Sequence, residues 1–259
     1  MTPAPVSAVL ITRDAERHLD EVLGSLDTCS EIVIVDSGST DATRDIAVSH
    51  GVRWHEHPFD GYGPQKSRAV VLARHDWVLS VDADEVLDER ARTAVAAIDW
   101  ASTPPDTCFR IRRRPFIGRR EIRHGHWVPD RPIRLFHRSV HGFGRDAVHE
   151  GVRPTGPVLE LPGSLRHYSY PDLAALFRPE YHRGKLERYR ASGRRASGPW
   201  LVARATGVFV RSYVLRLGFL DGPAGVAVAL AGSVSAVTGL AMASDPAVAP
   251  LPSADGDGD

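Results

Sequence analysis

The first hundred residues alternate between strand-like and helix-like patterns, and this alternation constrains the fold more than any other feature. Three short apolar runs have the length and β-branched content of buried strands, namely VSAVLIT, EIVIV and WVLSV, and VRWHE is predicted as a further strand. Three intervening segments show helical spacing or helix-capping residues: residues 15–26, STDATRDIAVSHG and PQKSRAVVLARH. Strands joined by helices predict an α/β domain whose parallel sheet is covered on both faces.

Acidic residues follow two of these strands. EIVIV is followed by Asp36, and WVLSV leads into Asp82, Asp84 and Glu85. Ligands of open α/β sheets bind beyond the carboxyl ends of the strands, so these acids are expected to line a ligand crevice. Strand alternation makes residues i and i+2 point the same way, which predicts that Asp82 and Asp84 project together. Paired carboxylates suit Mg²⁺ or Mn²⁺, whereas an isolated D-x-D is usually an acidic turn or a helix cap.

The rest of the chain changes character twice. Residues 101–170 are rich in arginine, with extended segments separated by Pro and Gly, and residues 171–244 have mostly helical patterns. Residues 245–259 are poor in large apolar side chains and are expected to be disordered. The two cysteines, Cys29 and Cys108, form no disulfide framework, which favours a reducing, cytoplasmic setting.

Charge is distributed unevenly, although the formal net charge is zero. Residues 1–100 carry 18 acidic and 9 basic side chains, and residues 101–259 carry 14 acidic and 23 basic ones. Such asymmetry favours an acidic half that handles a cation and a basic half that meets phosphates or an anionic surface.

Ordered motifs along the chain resemble a known family. VLITRDAE, IVIVDSGSTDAT, GYGPQKSRAV and WVLSVDADE resemble the nucleotide-sugar-binding half of family 2 glycosyltransferases, which have the GT-A fold. RHGHWVPDRPIRLFHR, VHEGV, HYSY and YVLRLGFLDGPAG resemble the branch of bacterial lipopolysaccharide-core β-1,4-glucosyltransferases. The resemblance runs from about Val6 to about Ala243. It implies a GT-A catalytic domain over residues 1–170, with a nucleotide-sugar half (1–100) and an acceptor half (101–170), followed by a helical, membrane-associating extension (171–244).

The resemblance also implies a set of nucleotide-sugar contacts. The loop after the first strand meets the nucleoside, Asp36 contacts uracil or ribose unless it only caps the following helix, and Asp82 faces the ribose or the metal. Lys66 reaches the diphosphate, or else lies on a solvated surface. Asp14 and Arg68 stand where the family commonly has Asn. The predicted contacts are Thr12, Asp14, Glu16, Asp36, Lys66, Arg68 and Asp82.

The same resemblance implies a set of metal ligands and phosphate contacts. Asp84, together with Asp82, is expected to bind a divalent metal (Mg²⁺ or Mn²⁺) that bridges the diphosphate and assists its departure as a Lewis acid. His167 is a third metal ligand, a diphosphate donor or a packed structural residue. In YHRGKLERYR, the two side chains Lys185 and Arg188 either contact phosphate or lie on a solvated helix.

A base must take the proton of the acceptor hydroxyl as it attacks the sugar. The VHE motif matches Glu150 to this role, with Asp130 as the second candidate and an arginine ion pair as the structural alternative. One displacement inverts the anomeric centre, so an α-linked donor gives a β-glycoside.

Membrane contact is predicted from two basic segments and one uncharged segment. Residues 110–138 carry ten arginines against two acids, residues 178–216 carry ten basic residues against two acids, and residues 223–243 have no charge. These features favour peripheral attachment to the anionic inner face of the cell membrane. A true span and a buried helix–helix interface are the alternatives for residues 223–243. No nucleic-acid-binding module accompanies the arginines, so nucleic acid is not expected as a partner.

The sequence thus predicts an inverting, metal-dependent glycosyltransferase that moves a hexose, glucose from UDP-glucose, onto a glycolipid or cell-envelope glycan. Two alternatives stay open. A nucleotidyltransferase also places acids beside a nucleotide, although TRDAERH after the first strand lacks the glycine-rich loop of that class. A membrane-associated scaffold could have kept the fold without catalysis.

Overall fold

The computed structural model describes residues 3–143, 151–178, 193 and 195–245. Within them the strands are β1 (Ala4–Thr12), β2 (Cys29–Asp36), β3 (Arg53–Glu56), β4 (Trp77–Ser80), β5 (Glu85–Leu87), β6 (Cys108–Ile117), β7 (Arg120–Glu121), β8 (Ile133–His137) and β9 (Val158–Tyr170). The α-helices are α1 (Glu16–Gly24), α2 (Thr43–Ser49), α3 (Tyr62–Leu72), α4 (Glu89–Ala96), α5 (Gly198–Val210) and α6 (Pro223–Ser244). Shorter helical turns are the 3₁₀ segments Ala174–Phe177 and Gly218–Asp221 and the π segment Arg211–Leu215.

The sheet begins as the parallel arrangement that the sequence predicts and continues as an antiparallel one. Its strand order is β3-β2-β1-β4-β8-β6-β9-β5. The pairs β1–β2, β1–β4 and β2–β3 are parallel, whereas β4–β8, β6–β8 and β5–β9 are antiparallel. All four predicted strands of the first hundred residues form, and the mixed α/β sheet confirms the predicted fold class.

Apolar residues fill both faces of the sheet. Neighbouring residues of β1 illustrate this, because Leu10 packs into one buried cluster with Leu19 and Val22 of α1. Val9 packs into a second buried cluster with Val70 of α3. Successive strand side chains point to opposite faces, so a central strand buried on both sides must be apolar throughout.

The described residues fall into two compact units. The first comprises the described parts of Met1–Phe116 and Pro129–Ser169, and the second those of Ile117–Val128 and Tyr170–Asp259. Residues 117–128 therefore belong with the C-terminal helices and not with the sequence around them. In the second unit, one small core brings Ile117, Ile122 and Leu176 together with Val228 of α6.

The acidic motif after β4 is a turn rather than the end of a strand. β4 stops at Ser80, and the amide of Glu85 donates to the carbonyl of Asp82 over 3.0 Å. The chain then enters β5, where Glu85, Val86 and Leu87 are buried. The prediction that Asp82 and Asp84 project together by strand alternation does not apply to this turn, and the two carboxylates have different partners.

Candidate active site

The loops after β1 and β2 are joined by hydrogen bonds at the carboxyl edge of the sheet. The hydroxyl of Thr12 donates to Oδ1 of Asp36 over 2.7 Å. Asp36 is buried, and its Oδ2 accepts from the amides of Gly38 and Ser39 at 2.8 and 2.7 Å. Asp36 therefore fixes the turn that follows β2, at the sheet edge where the resemblance places the nucleoside. It does not cap the following helix, because α2 begins at Thr43 with Ala42 at its N-cap.

Asp14 and Glu16 complete this junction. Asp14 has a left-handed backbone (φ 47°), and its carboxylate accepts from the amide of Thr40 over 2.8 Å. The carboxylate of Glu16 accepts from the amide of Ala42 over 3.0 Å. Asp is among the residue types that tolerate the left-handed region. The two hydrogen bonds tie the loop after β1 to the loop after β2, so both predicted contact residues also shape the site.

The first turns of α3 carry two predicted cations that differ in surroundings. Lys66 is nearly buried, and its ammonium lies 2.9 Å from Oδ1 of Asp82 and 5.8 Å from the ring centroid of Phe143. Arg68 instead forms an ion pair with Asp60 over 2.8 Å. The arrangement brings Lys66, but not Arg68, into contact with the acidic turn.

Asp82 is surrounded by positive charge. Its Oδ2 lies 2.6 Å from the guanidinium of Arg134 and 4.0 Å from that of Arg113, while Oδ1 faces Lys66. Burial alone would raise the pKa of the Asp82 carboxyl, but Arg134 and Lys66 outweigh it and hold that pKa well below its usual range. Asp82 is therefore ionised at any physiological pH.

An ion network around the buried Glu85 and Arg134 extends from Asp82. Glu85 is fully buried and contacts the guanidinium groups of Arg134 and Arg113, the latter at 3.1 Å. Arg113 also contacts Asp130 over 2.6 Å. Burial would lower the pKa of each guanidinium, but their carboxylate partners raise it above the ordinary value. Three acids thus face three cations, which is the balance that buried charges need.

Asp84 lies on the other side of the turn. Its Oδ2 is 3.4 Å from Nε2 of His167, and its carbonyl accepts from the amide of Tyr168 over 2.9 Å. The Tyr168 ring stacks on His18 of α1 at a centroid distance of 4.3 Å. Burial and the neighbouring Arg17 lower the pKa of His18, so this ring is uncharged at neutral pH. Residues from α1 and β9 therefore hold the turn that presents Asp84.

A model of glycosyl transferase family 2 matches residues 7–147, more than half of the chain. The lipopolysaccharide core biosynthesis glycosyltransferase LpsC of Rhizobium meliloti (strain 1021) is 32% identical over 249 residues, which cover 90% of this chain and 89% of LpsC. The chain belongs to glycosyltransferase family 2. Its mixed sheet is the predicted GT-A fold, and it is a nucleotide-sugar-dependent transferase.

Two solved structures are similar to this glycosyltransferase. Residues 1–349 of TarS from S. aureus are 15% identical, with a TM-score of 0.46, and the match covers 91% of this chain and 89% of that one. Glucosyl-3-phosphoglycerate synthase from Mycobacterium tuberculosis, in complex with Mn²⁺, UDP and glucosyl-3-phosphoglycerate, is 22% identical. That match has a TM-score of 0.35 and covers 44% of each chain.

The predicted metal ligands of the glycosyltransferase are divided by the acidic turn. Asp84 and His167 offer a carboxylate oxygen and an imidazole nitrogen within 3.4 Å of each other, while both oxygens of Asp82 face cations. In the described ranges, no group of three or more His, Cys, Asp or Glu side chains is placed to enclose a metal. The Asp84 carboxylate is the kind of ligand that Mg²⁺ or Mn²⁺ prefers, and such an ion takes much of its shell from substrate phosphates and water.

The base and the late phosphate contacts are only partly described. Glu150, Lys185 and Arg188 lie outside the described residues of the glycosyltransferase. Asp130, the second candidate base, uses Oδ2 to accept from Arg113 over 2.7 Å, which matches the ion-pair alternative. Asp130 is thus engaged by Arg113, and Glu150 stays the predicted base.

Sequence reasoning missed the partners of the acidic turn, namely Arg113, Arg134, His18 and Tyr168. It also placed Glu85 among the acids lining the ligand crevice, whereas Glu85 is fully buried against two arginines. One signal was available. Arg134 interrupts the apolar strand IRLF, and Glu85 precedes two apolar residues, so each is a charge in a segment that must be buried. The abundance of arginine nearby hid this signal.

Proposed function

We propose that this family 2 glycosyltransferase transfers a hexose, glucose from UDP-glucose, with inversion onto a glycolipid or cell-envelope glycan at the cytoplasmic face of the membrane. The observation that carries the proposal is the convergence of Asp36, Lys66, Asp82 and Asp84 around the loops at the carboxyl edge of the sheet. The similarity to LpsC, a lipopolysaccharide core biosynthesis glycosyltransferase, supports the choice of acceptor class.

Each side chain at this edge has a distinct role in the proposal. Asp36 and the loop through Thr12, Asp14 and Glu16 hold the nucleoside. Asp82, fixed by its cations, accepts from the ribose. Asp84 and His167 hold a divalent metal, which when bound neutralises charge on the diphosphate.

Lys66 adds a cation beside Asp82 that reaches the departing diphosphate. Preorganised charge of this kind needs no rearrangement during the reaction and lowers the barrier more than the same charge in water. Glu150 takes the proton of the acceptor hydroxyl, and because the displacement is direct, the β-glycoside is the product.

The test combines binding with turnover. Thermal unfolding of the purified chain with Mn²⁺ is measured against UDP-glucose, UDP-galactose and UDP-N-acetylglucosamine, since a donor at about 100 times its Kd stabilises by about 2.7 kcal/mol. UDP release is then followed with a lipopolysaccharide core acceptor, and the anomeric configuration of the product is read by NMR. We expect stabilisation by UDP-glucose and a β-linked product. An α-linked product, or a preference for another donor, would contradict the proposal.

The same assay separates the two remaining alternatives. A nucleotidyltransferase would release pyrophosphate from a nucleoside triphosphate and a sugar phosphate, and family membership already counts against it. A scaffold without catalysis would bind UDP at most and release none from the donor.

A further inference from the structure

Exposed apolar side chains are concentrated in one part of the second unit. No residue of α5 is buried, although its sequence is predominantly apolar. The π turn and 3₁₀ turn that follow continue this surface, and Leu215 is 72% exposed. We call residues 200–220 the apolar corner. Its exposed large side chains are Trp200, Val202, Val210, Val214, Leu215, Leu217, Phe219 and Leu220.

Buried contacts at the end of the apolar corner fix its conformation. The carboxylate of Asp221 is buried and accepts from the amides of Arg123 and His124 at 3.1 and 2.8 Å. Gly225 lies so close to Gly218 that a Cβ on Gly225 would come within 1.8 Å of the Gly218 carbonyl oxygen. Such close backbone packing fixes the turn and leaves its apolar side chains on the outside.

Backbone strain marks the tip of the corner. Leu217 is left-handed, with φ 57°, a conformation that costs a leucine of the order of 1–2 kcal/mol. This left-handed residue bends the chain between the π turn and the 3₁₀ turn, and Leu215 and Leu220 are exposed on the two sides of the bend. A bend that costs energy to expose leucine indicates a surface used for contact.

All charged residues in and just before the apolar corner are basic. The sequence from Arg195 to Leu220 contains four arginines and no acidic residue. A groove of about 340 Å³ on α5 is lined by arginine side chains and by an indole, over whose ring Arg204 lies at 5.4 Å from the centroid. The groove residues are Trp200, Ala203, Arg204, Gly207, Val208 and Arg211.

The uncharged helix α6 has a different environment. It is the one described helix long and apolar enough to cross a membrane, with a mean hydropathy of 1.9, and a third of that window is buried. Three of its buried residues, Ala224, Val228 and Ala231, are spaced four and three apart and pack on Ile117 and Leu176. If α6 crossed a bilayer, its buried face would lose these contacts with Ile117 and Leu176.

We infer that the apolar corner binds the anionic headgroup layer of a bilayer, with its leucine and aromatic tips inserted and its arginines on lipid phosphates. α6 supports this surface from within its own unit and does not span. The inference deepens the membrane location in the proposed function.

A second copy of the chain fits this surface less well. A two-fold interface places the same patch on both sides, so the arginines of one copy would face those of the other without acids to offset them. An anionic bilayer offers a hydrocarbon layer for the leucines and phosphates for the guanidinium groups.

Vesicle flotation tests the inference without any glycosyl donor. The purified chain is mixed with vesicles of phosphatidylcholine alone or of phosphatidylcholine with phosphatidylglycerol. We expect binding only to the second kind, with release at about 1 M salt, where the Debye length is about 3 Å. Replacing the two exposed leucines by serine (L215S and L220S) should weaken binding about tenfold per side chain. R195Q and R211Q should each weaken it about fivefold.

Matched controls come from the first unit, where Val48 and Arg90 are exposed on helices. V48S and R90Q should bind vesicles as the wild type does. UDP binding, measured separately, should be unchanged in every variant, so a loss of vesicle binding is distinguished from a failure of the proposed catalytic function.

Several outcomes would overturn the inference. Equal binding to both vesicle types would show that anionic headgroups are not recognised. Normal binding by the leucine variants would show that the apolar corner is not the contact surface. Release by detergent alone would assign α6 as a span. A dimer that the leucine substitutions dissociate, with no vesicle binding, would identify a second copy as the occupant. The salt dependence of the wild type remains decisive if a variant fails to fold.

Discussion

Arg134 holds Asp82 in an ion pair 2.6 Å long, from a strand that lies next to β4 in the sheet. The same guanidinium contacts the fully buried Glu85, three residues further along the turn. One arginine thus joins both ends of the acidic turn to the sheet. The first carboxylate of the D-x-D motif is thereby fixed before any ligand arrives.

Replacing Arg134 by methionine should destabilise the protein by about 3–5 kcal/mol, because it removes the guanidinium that both the buried Glu85 and the half-buried Asp82 contact. Urea unfolding measures the loss. Arg110 provides the matched control, since its ion pair with Glu160 is solvent-exposed and R110M should cost no more than about 1 kcal/mol. Equal losses of unfolding free energy in R134M and R110M would show that the ion pairs of Arg134 stabilise the fold no more than an exposed ion pair does.

The depressed pKa of Asp82 predicts how stability depends on pH. Because the folded pKa lies below the unfolded value of about 3.9, ionised Asp82 stabilises the fold above that pH, and the contribution is lost as the pH falls through the folded pKa. The difference in unfolding free energy between wild type and D82N should therefore be largest near neutrality and shrink below about pH 4. A difference that stays constant from pH 7 to pH 3 would contradict the assignment.

The metal proposal predicts that D84N lowers turnover at least about a hundredfold, the scale for losing one electrostatic stabiliser, while the fold persists. Chelation with EDTA should do the same to the wild type, and H167A should weaken the affinity for Mn²⁺. Steady-state rates and Mn²⁺ titration give the measurements. D20N, at an exposed ion pair with His50, is the control and should keep full activity. Unchanged turnover in excess EDTA would sink the proposal.

The base proposal predicts that E150Q abolishes transfer, by about 10²–10⁴-fold, and still binds UDP and metal. D130N should retain most of its turnover, because Asp130 is committed to Arg113. Rates and UDP affinity of the two variants are measured side by side. If D130N is inactive and E150Q turns over normally, the roles are reversed.

Much of the nucleotide half could be read directly from the sequence. β1 to β4 and α1 to α3 form in or across the segments predicted for them, although Ala42 and not Ser or Thr lies at the N-cap of α2. Parallel pairing of these strands brings Asp36 and the acidic turn to one edge. These features depend on local patterns and on the short connections of β-α-β units, which leave few alternative topologies.

Charge partners could not be read in this way. Arg113 and Arg134 come from antiparallel strands far along the chain, and the sequence does not say which of its many arginines meets Asp82. Local pattern fixed the acids at the sheet edge, because strand direction is set within each β-α-β unit. Tertiary structure alone decided that Asp82 is bound by cations and Asp84 by His167, because ion pairing follows distances between strands that no sequence interval encodes.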